Sequence, residues 1–182
     1  MSQRWTLVIY HAPSQPSSAR VAAWRQFNRL GALYLGPTTC LIPDRLDPDR
    51  TLTSIAERLV SAGGSFEAHV IDAFSAETRA AVEQRYNAAR DAEYNEVVER
   101  AQGLVDELEA EGAKGKFTYA EVEENEVDLI KLRRWLRRII WRDLYGAARR
   151  GEAQAAVERA ASRLDDFTER SLPVQADEND IA

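Results

Sequence analysis

From Ala76 to Leu172 the chain contains no proline, and its glycines in that span sit at four places only: Gly103, Gly112/Gly115, Gly146 and Gly151. Proline removes a helical hydrogen bond and clashes with the preceding turn, so a segment without it is free to run as long helices broken only where glycine allows. A first helix is expected from a Ser75 cap to about Glu111, with Gly112-Ala113-Lys114-Gly115-Lys116 as the turn. Thr118-Tyr119-Ala120-Glu121 then matches a capping box, in which the threonine hydroxyl takes the amide of the residue whose glutamate reaches back. That helix is expected to reach about Tyr145, ahead of Gly146, and to form a long helical hairpin with the first. A last helix from Glu152 to about Ser171 precedes Pro173, and residues 173–182 are expected to be an acidic, flexible tail.

The first half follows different rules. Trp5 to Tyr10 is β-branched and aromatic and stops at His11-Ala12-Pro13, the pattern of a short strand. In Ala19 to Leu30, Val21, Trp24 and Phe27 recur at helical spacing, and Gly31 follows as a C-terminal stop. Ala32 to Leu35 and Thr39 to Ile42 read as two strands joined through Gly36-Pro37. After a loop with Asp44, Asp47, Pro48 and Asp49, the spacing of Leu52, Ile55, Leu59 and Val60 predicts a second helix ending at Gly63-Gly64, and Ser65 to Phe74 gives one more strand. The class is α+β: a ferredoxin-like βαββαβ unit over 1–74, a helical extension over 75–172 and the tail over 173–182.

Apolar residues make up 45% and charged residues 30% of the 182, a globular composition with a heavily charged surface. No apolar run approaches the roughly 20 residues of a membrane helix. Met1-Ser2-Gln3-Arg4 leads into an apolar segment too short for a signal sequence, so no membrane partner and a cytoplasmic location are expected. The single cysteine, Cys40, excludes an internal disulfide and a cysteine-cluster metal site.

A net charge of -6 opposes nucleic-acid binding only if the charge is spread evenly, and it is not. Between Lys131 and Arg150 stand eight basic residues against the single acid Asp143. At 100° per residue, Leu129, Leu132, Leu136, Ile139, Ile140 and Leu144 share one face, and Lys131, Arg134, Arg138 and Arg142 are expected on the other. Arginines spaced i, i+4, i+8 repel by a few tenths of a kcal/mol per pair, on the order of what like charges cost on an isolated helix. Two offsets are open: acids of the preceding helix (Glu93, Glu96, Glu99, Asp106, Glu107, Glu109) pair with the stripe, or phosphates do, for which the planar guanidinium fork is suited. Arg20, Arg25 and Arg29 form a second basic set on the first helix.

Catalytic equipment is sparse. His11, His69 and Cys40 lack the paired spacing of a zinc or iron site, Gly63-Gly64 lacks the Lys-Ser/Thr of a phosphate loop, and there is no Gly-x-Ser-x-Gly elbow. The run Glu121, Glu123, Glu124, Glu126, Asp128 reads as solvated carboxylates rather than a cation cage. No enzyme, metal or cofactor is expected.

Tyr10-x-x-Pro13, Arg20-Val21-x-x-Trp24-Arg25, Arg29-Leu30-Gly31-Ala32-x-Tyr34-Leu35 and Leu41-Ile42-Pro43 resemble the N-terminal domain of the chromate-resistance regulator ChrB. The likeness continues through Tyr86-Asn87-Ala88-Ala89-Arg90-Asp91-x-Glu93-Tyr94, Lys116-Phe117-Thr118 and Leu132-Arg133-Arg134-Trp135-Leu136 to Arg142-Asp143. The resemblance implies a DNA-binding transcriptional regulator of chromate resistance. Longer members of the family carry a C-terminal domain thought to sense chromate, which this chain is expected to lack, so a separate chromate-sensing protein is an implied partner. The expected phosphate and base contacts are Arg20, Arg25, Arg29, Lys131, Arg134, Arg137, Arg138 and Arg142, in a homodimer. The competing expectation is an interaction module that docks a sensor subunit through its helical hairpin.

Overall fold

The structure, a computed structural model, describes residues 4–15, 17–44, 48–115 and 118–179, with backbone alone over 172–179. Pro16, Asp47, the Lys116 and Phe117 positions and the last residues of the acidic tail lie outside the described residues. Two compact units divide between Tyr86 and Asn87.

In the first unit, strands β1 (Trp5–His11), β2 (Leu33–Gly36), β3 (Thr39–Pro43) and β4 (Ser65–Ile71) form one sheet in the order β2-β3-β1-β4. Every neighbouring pair is antiparallel, with Val8 opposite Cys40 on one side and Ala68 on the other. Helices α1 (Ser17–Arg29) and α2 (Asp49–Ser61) connect β1 to β2 and β3 to β4. Alternation along β1 sends Val8 and Tyr10 into a core with Ala23, Phe27, Cys40, Ile42, Ile55 and Leu59. The Tyr10 and Phe27 rings lie 4.9 Å apart, and the Tyr10 hydroxyl donates to the Pro37 carbonyl at 3.3 Å. Trp5, on the opposite face, meets Tyr86 edge-on at 5.5 Å, both rings being fully buried. Strand β4 ends at Ile71, short of the expected Phe74.

Gly31 and Gly63 close α1 and α2 in the left-handed region, at φ +68° and +84°, as their positions predict. Gly64 is required for another reason: a Cβ there would lie 2.2 Å from the His11 carbonyl oxygen and 3.0 Å from that of Leu59.

The second unit is built from the long part of α3 (Ala76–Ala113), α4 (Tyr119–Arg142) and α5 (Arg150–Asn179). Tyr94, Val97, Ala101, Leu104 and Leu108 of α3, Leu129, Leu132, Leu136 and Ile139 of α4, and Ala153, Val157, Ala160 and Leu164 of α5 make one continuous core. Both expected N-terminal caps form: Ser75 Oγ accepts the Thr78 amide at 3.2 Å, and Thr118 Oγ1 accepts the Glu121 amide at 3.3 Å.

The ends differ from expectation at two places. Helix α4 stops at Arg142 rather than Tyr145, because the Asp143 carboxylate turns the chain by accepting the amides of Gly146 and Ala147 at 2.9 and 3.0 Å. Helix α5 continues past Ser171 to Asn179 with Pro173 inside it, rather than ending before the proline. Among the described residues, no helix is long and apolar enough to cross a membrane.

Two glycines should respond in opposite directions to a single methyl group. Gly64→Ala should lower stability by about 1–3 kcal/mol, the cost of an overpacked site, in urea unfolding. Gly103→Ala, in the middle of α3 with nothing within 4 Å of its added Cβ, should raise it by about 0.5–1 kcal/mol.

Candidate nucleic-acid interface

Helix α1 carries no aspartate or glutamate, and its buried side is Ala19, Ala23 and Phe27. At 100° per residue Arg20, Val21, Trp24, Arg25 and Arg29 spread over the remaining half turn, Arg20 at its margin next to Phe27, and all are exposed, with Trp24 at 53%. None of the three guanidinium groups makes an ion pair with another described residue. Three cations interleaved with an exposed indole and no competing carboxylate form a face suited to an anionic, planar-ringed polymer.

Helix α4 buries Val122, Asn125, Leu129, Leu132, Leu136 and Ile139, which leaves its charges on the remaining arc. Arg133, Arg134, Arg137 and Arg138 are exposed and make no ion pair with another described residue. Lys131 is also exposed but is held by Asp128, one turn away, at 2.7 Å. Among the described residues, the expected neutralisation of the α4 bases by acids of α3 therefore reaches Arg142 and not the rest of the stripe. Glu93 takes Arg142, and Glu109 takes Arg163 of α5 at 3.6 Å.

Arg142 stands apart from the other arginines. Expected on the outer stripe, it is 8% exposed. Its Nη2 donates to Glu93 Oε2 at 3.1 Å and its Nε to the Arg138 carbonyl at 3.1 Å. Arg90, 4% exposed, reaches the same Glu93 carboxylate through Nε at 3.2 Å. One carboxylate thus holds two buried guanidinium groups, which ties the end of α4 to α3. Beside it the Tyr94 hydroxyl donates to Asp143 Oδ2 at 3.1 Å. Burial, then the Asp143 charge, pushes the tyrosine well above its ordinary value, so it stays a donor. Asp91 Oδ1 accepts the Arg149 amide at 2.8 Å just ahead of α5. The sequence pattern did not single out Asp143 as structural; its signal is the glycine three residues on, which fits a carboxylate accepting amides in a turn.

Between α3 and α4 runs an open groove of about 670 Å³, with Trp135 and Leu104 among the acids Glu96, Glu99, Glu107 and Asp128 and the bases Arg100, Lys131 and Arg138. Its walls carry both signs, so it creates no net field for a polyanion. Cys40 is buried in the sheet core, and desolvation raises its thiol to about 12, which leaves it protonated and unreactive at neutral pH. His69 faces Glu67 at 3.5 Å, and His11 lies at the end of β1. Among the described residues, no three His, Cys, Asp or Glu side chains are grouped to hold a metal.

The family model for Protein ChrB, N-terminal, matches residues 20–178, most of the chain. The chain belongs to the ChrB N-terminal family. That family is associated with chromate-resistance regulation. No curated protein matches the chain. Within this ChrB-type chain the match takes in α1 from Arg20 onward and the whole of α4.

Because Glu93 serves two buried cations, Glu93→Ala should destabilise the protein by about 2–3 kcal/mol. That is below the full cost of breaking a buried pair, since Glu93 keeps 26% of its side-chain exposure. Glu96→Ala, on the exposed wall, should change the urea midpoint by less than about 0.5 kcal/mol in free energy.

Proposed function

We propose that this chain is a DNA-binding regulator of chromate resistance, not an enzyme, acting in the cytoplasm and meeting phosphates through exposed arginines. The observation that carries the reading is the outer face of α1, where Arg20, Arg25 and Arg29 flank Trp24 on a helix without a single acid. A net charge of -6 over the whole chain makes such a local concentration the feature a polyanion would respond to. The family membership supports the regulatory context.

Arg134, Arg137 and Arg138 form a weaker set. Their helix also carries Glu121, Glu123, Glu124, Glu126 and Asp128, so its field is that of a dipole and not of a uniformly positive surface. Lys131 is tied to Asp128, and Arg142 is withdrawn into the ion pair with Glu93. On this reading the first unit is the DNA-reading module. Its ferredoxin-like βαββαβ character is supported by the strand order β2-β3-β1-β4 with antiparallel neighbours throughout.

The reading predicts binding to the DNA upstream of the chain's own gene with a steep dependence on salt. Fluorescence anisotropy across a salt series should give a log–log slope that flattens by about 0.9 for each phosphate contact removed, so Arg20→Ala, Arg25→Ala and Arg29→Ala together should flatten it by about 2–3. Affinity that is undetectable at low salt overturns the DNA reading and favours the alternative, an interaction module that docks a sensor subunit through the α3–α4 hairpin.

A further inference from the structure

Among the described residues ten large apolar side chains are exposed, and four of them lie on α4: Tyr119 at 65%, Val127 at 44%, Ile130 at 46% and Trp141 at 56%. On a helical wheel they fall within a quarter turn of one another, opposite the buried stripe of Leu129, Leu132, Leu136 and Ile139. The same outer arc also carries Glu123, Arg134 and Arg137, so α4 has one buried apolar face and an opposite face of mixed apolar and charged side chains. One is filled by α3 and α5, and the other has no partner among the described residues.

The charges beside this outer seam are segregated along the helix. Glu123, Glu124 and Glu126 occupy its first half and Arg133, Arg134, Arg137 and Arg138 its second, and none of these seven makes an ion pair with another described residue. Favourable interaction with the helix dipole accounts for the direction of the segregation. It does not account for an apolar row running between the two halves.

We infer that the outer face of α4 is the docking site for α4 of a second copy of this chain, the two helices running antiparallel about a two-fold axis beside Ile130. Such an axis places Glu123 opposite Arg138, Val127 opposite Arg134 and Ala120 opposite Trp141, each contact occurring twice, as an isologous interface requires. The acidic half of one copy then lies along the basic half of the other, whereas a parallel pairing sets like charges together. Opposite Trp141, the small Ala120 lies with Glu123, Glu124 and Val127 along a shallow depression of about 300 Å³. An indole seated there gives an apolar contact at each end of the interface, outside the Glu123–Arg138 pairs. The pairing occupies Arg134, Arg137 and Arg138, and leaves α1 as the phosphate-facing surface.

Charge exchange across the axis gives the test, read by sedimentation velocity on the full chain. The unaltered chain sediments as a dimer at tens of micromolar concentration. Glu123→Arg alone and Arg138→Glu alone each sediment as monomers, because each homodimer then sets like charges opposite one another twice. Mixing the two variants restores the dimer, since both contacts become an arginine against a glutamate. Circular dichroism equal to that of the unaltered chain shows that the monomers are folded. Ile130→Cys, placed at the axis, crosslinks to a dimer under mild oxidation, the native Cys40 being buried. An unaltered chain that sediments as a monomer, or a dimer indifferent to both charge changes, overturns the inference. DNA affinity of the α1 variants is read separately, so either proposal can fail without the other.

Discussion

The second unit depends on the carboxylate of Glu93. Two guanidinium groups, of Arg90 and Arg142, are taken out of water at the end of α4, and an isolated buried cation costs several kcal/mol or more. Glu93 is a carboxylate shared by both, which offsets their burial, and by reaching Arg142 it ties the last turn of α4 to α3. Asp143 acts on the next residue: it accepts from Tyr94 on one side and from two amides of the turn to α5 on the other. These two acids hold the helix ends in register, and the aliphatic core between them supplies the bulk of the stabilisation.

With that register fixed, the charge pattern of α4 ceases to be a single stripe. Six basic residues between Lys131 and Arg142 share a strand of sequence but have three environments. Arg142 is structural, Lys131 is satisfied within its own helix, and Arg133, Arg134, Arg137 and Arg138 stand exposed. Helix α1 shows the simpler case, a solvent face with three arginines, a tryptophan and no acid. Polyanion binding asks for a uniformly positive local field, and α1 meets that condition better than the longer and more heavily charged α4.

Much of the fold was legible in the sequence because its signals are local. Gly31 and Gly63 stop helices through positive φ, Thr118 and Ser75 cap them, and the β-branched and aromatic run from Trp5 to Tyr10 marks β1. The features that periodicity did not reveal are those set by residues distant in the chain. Arg142 sits at the margin of the α4 wheel, where a side chain can turn either way, and the decision is made by Glu93, a residue of another helix. Asp143 read as one acid in a basic run, although its role as a turn acceptor was implicit in Gly146. The candidate arginines were identifiable by type, but which of them keep a free guanidinium depends on tertiary neighbours.

The central claim is that the arginines of this chain divide into a buried structural pair and an exposed phosphate-facing set on α1. Side-chain Nε–Hε resonances of arginine, followed by NMR while the upstream DNA is titrated into the labelled full chain, test that division residue by residue. The account predicts that the signals of Arg20, Arg25 and Arg29 shift or broaden while those of Arg90 and Arg142 hold their positions. Unmoved α1 signals, or perturbation centred on Arg90 and Arg142, would contradict it.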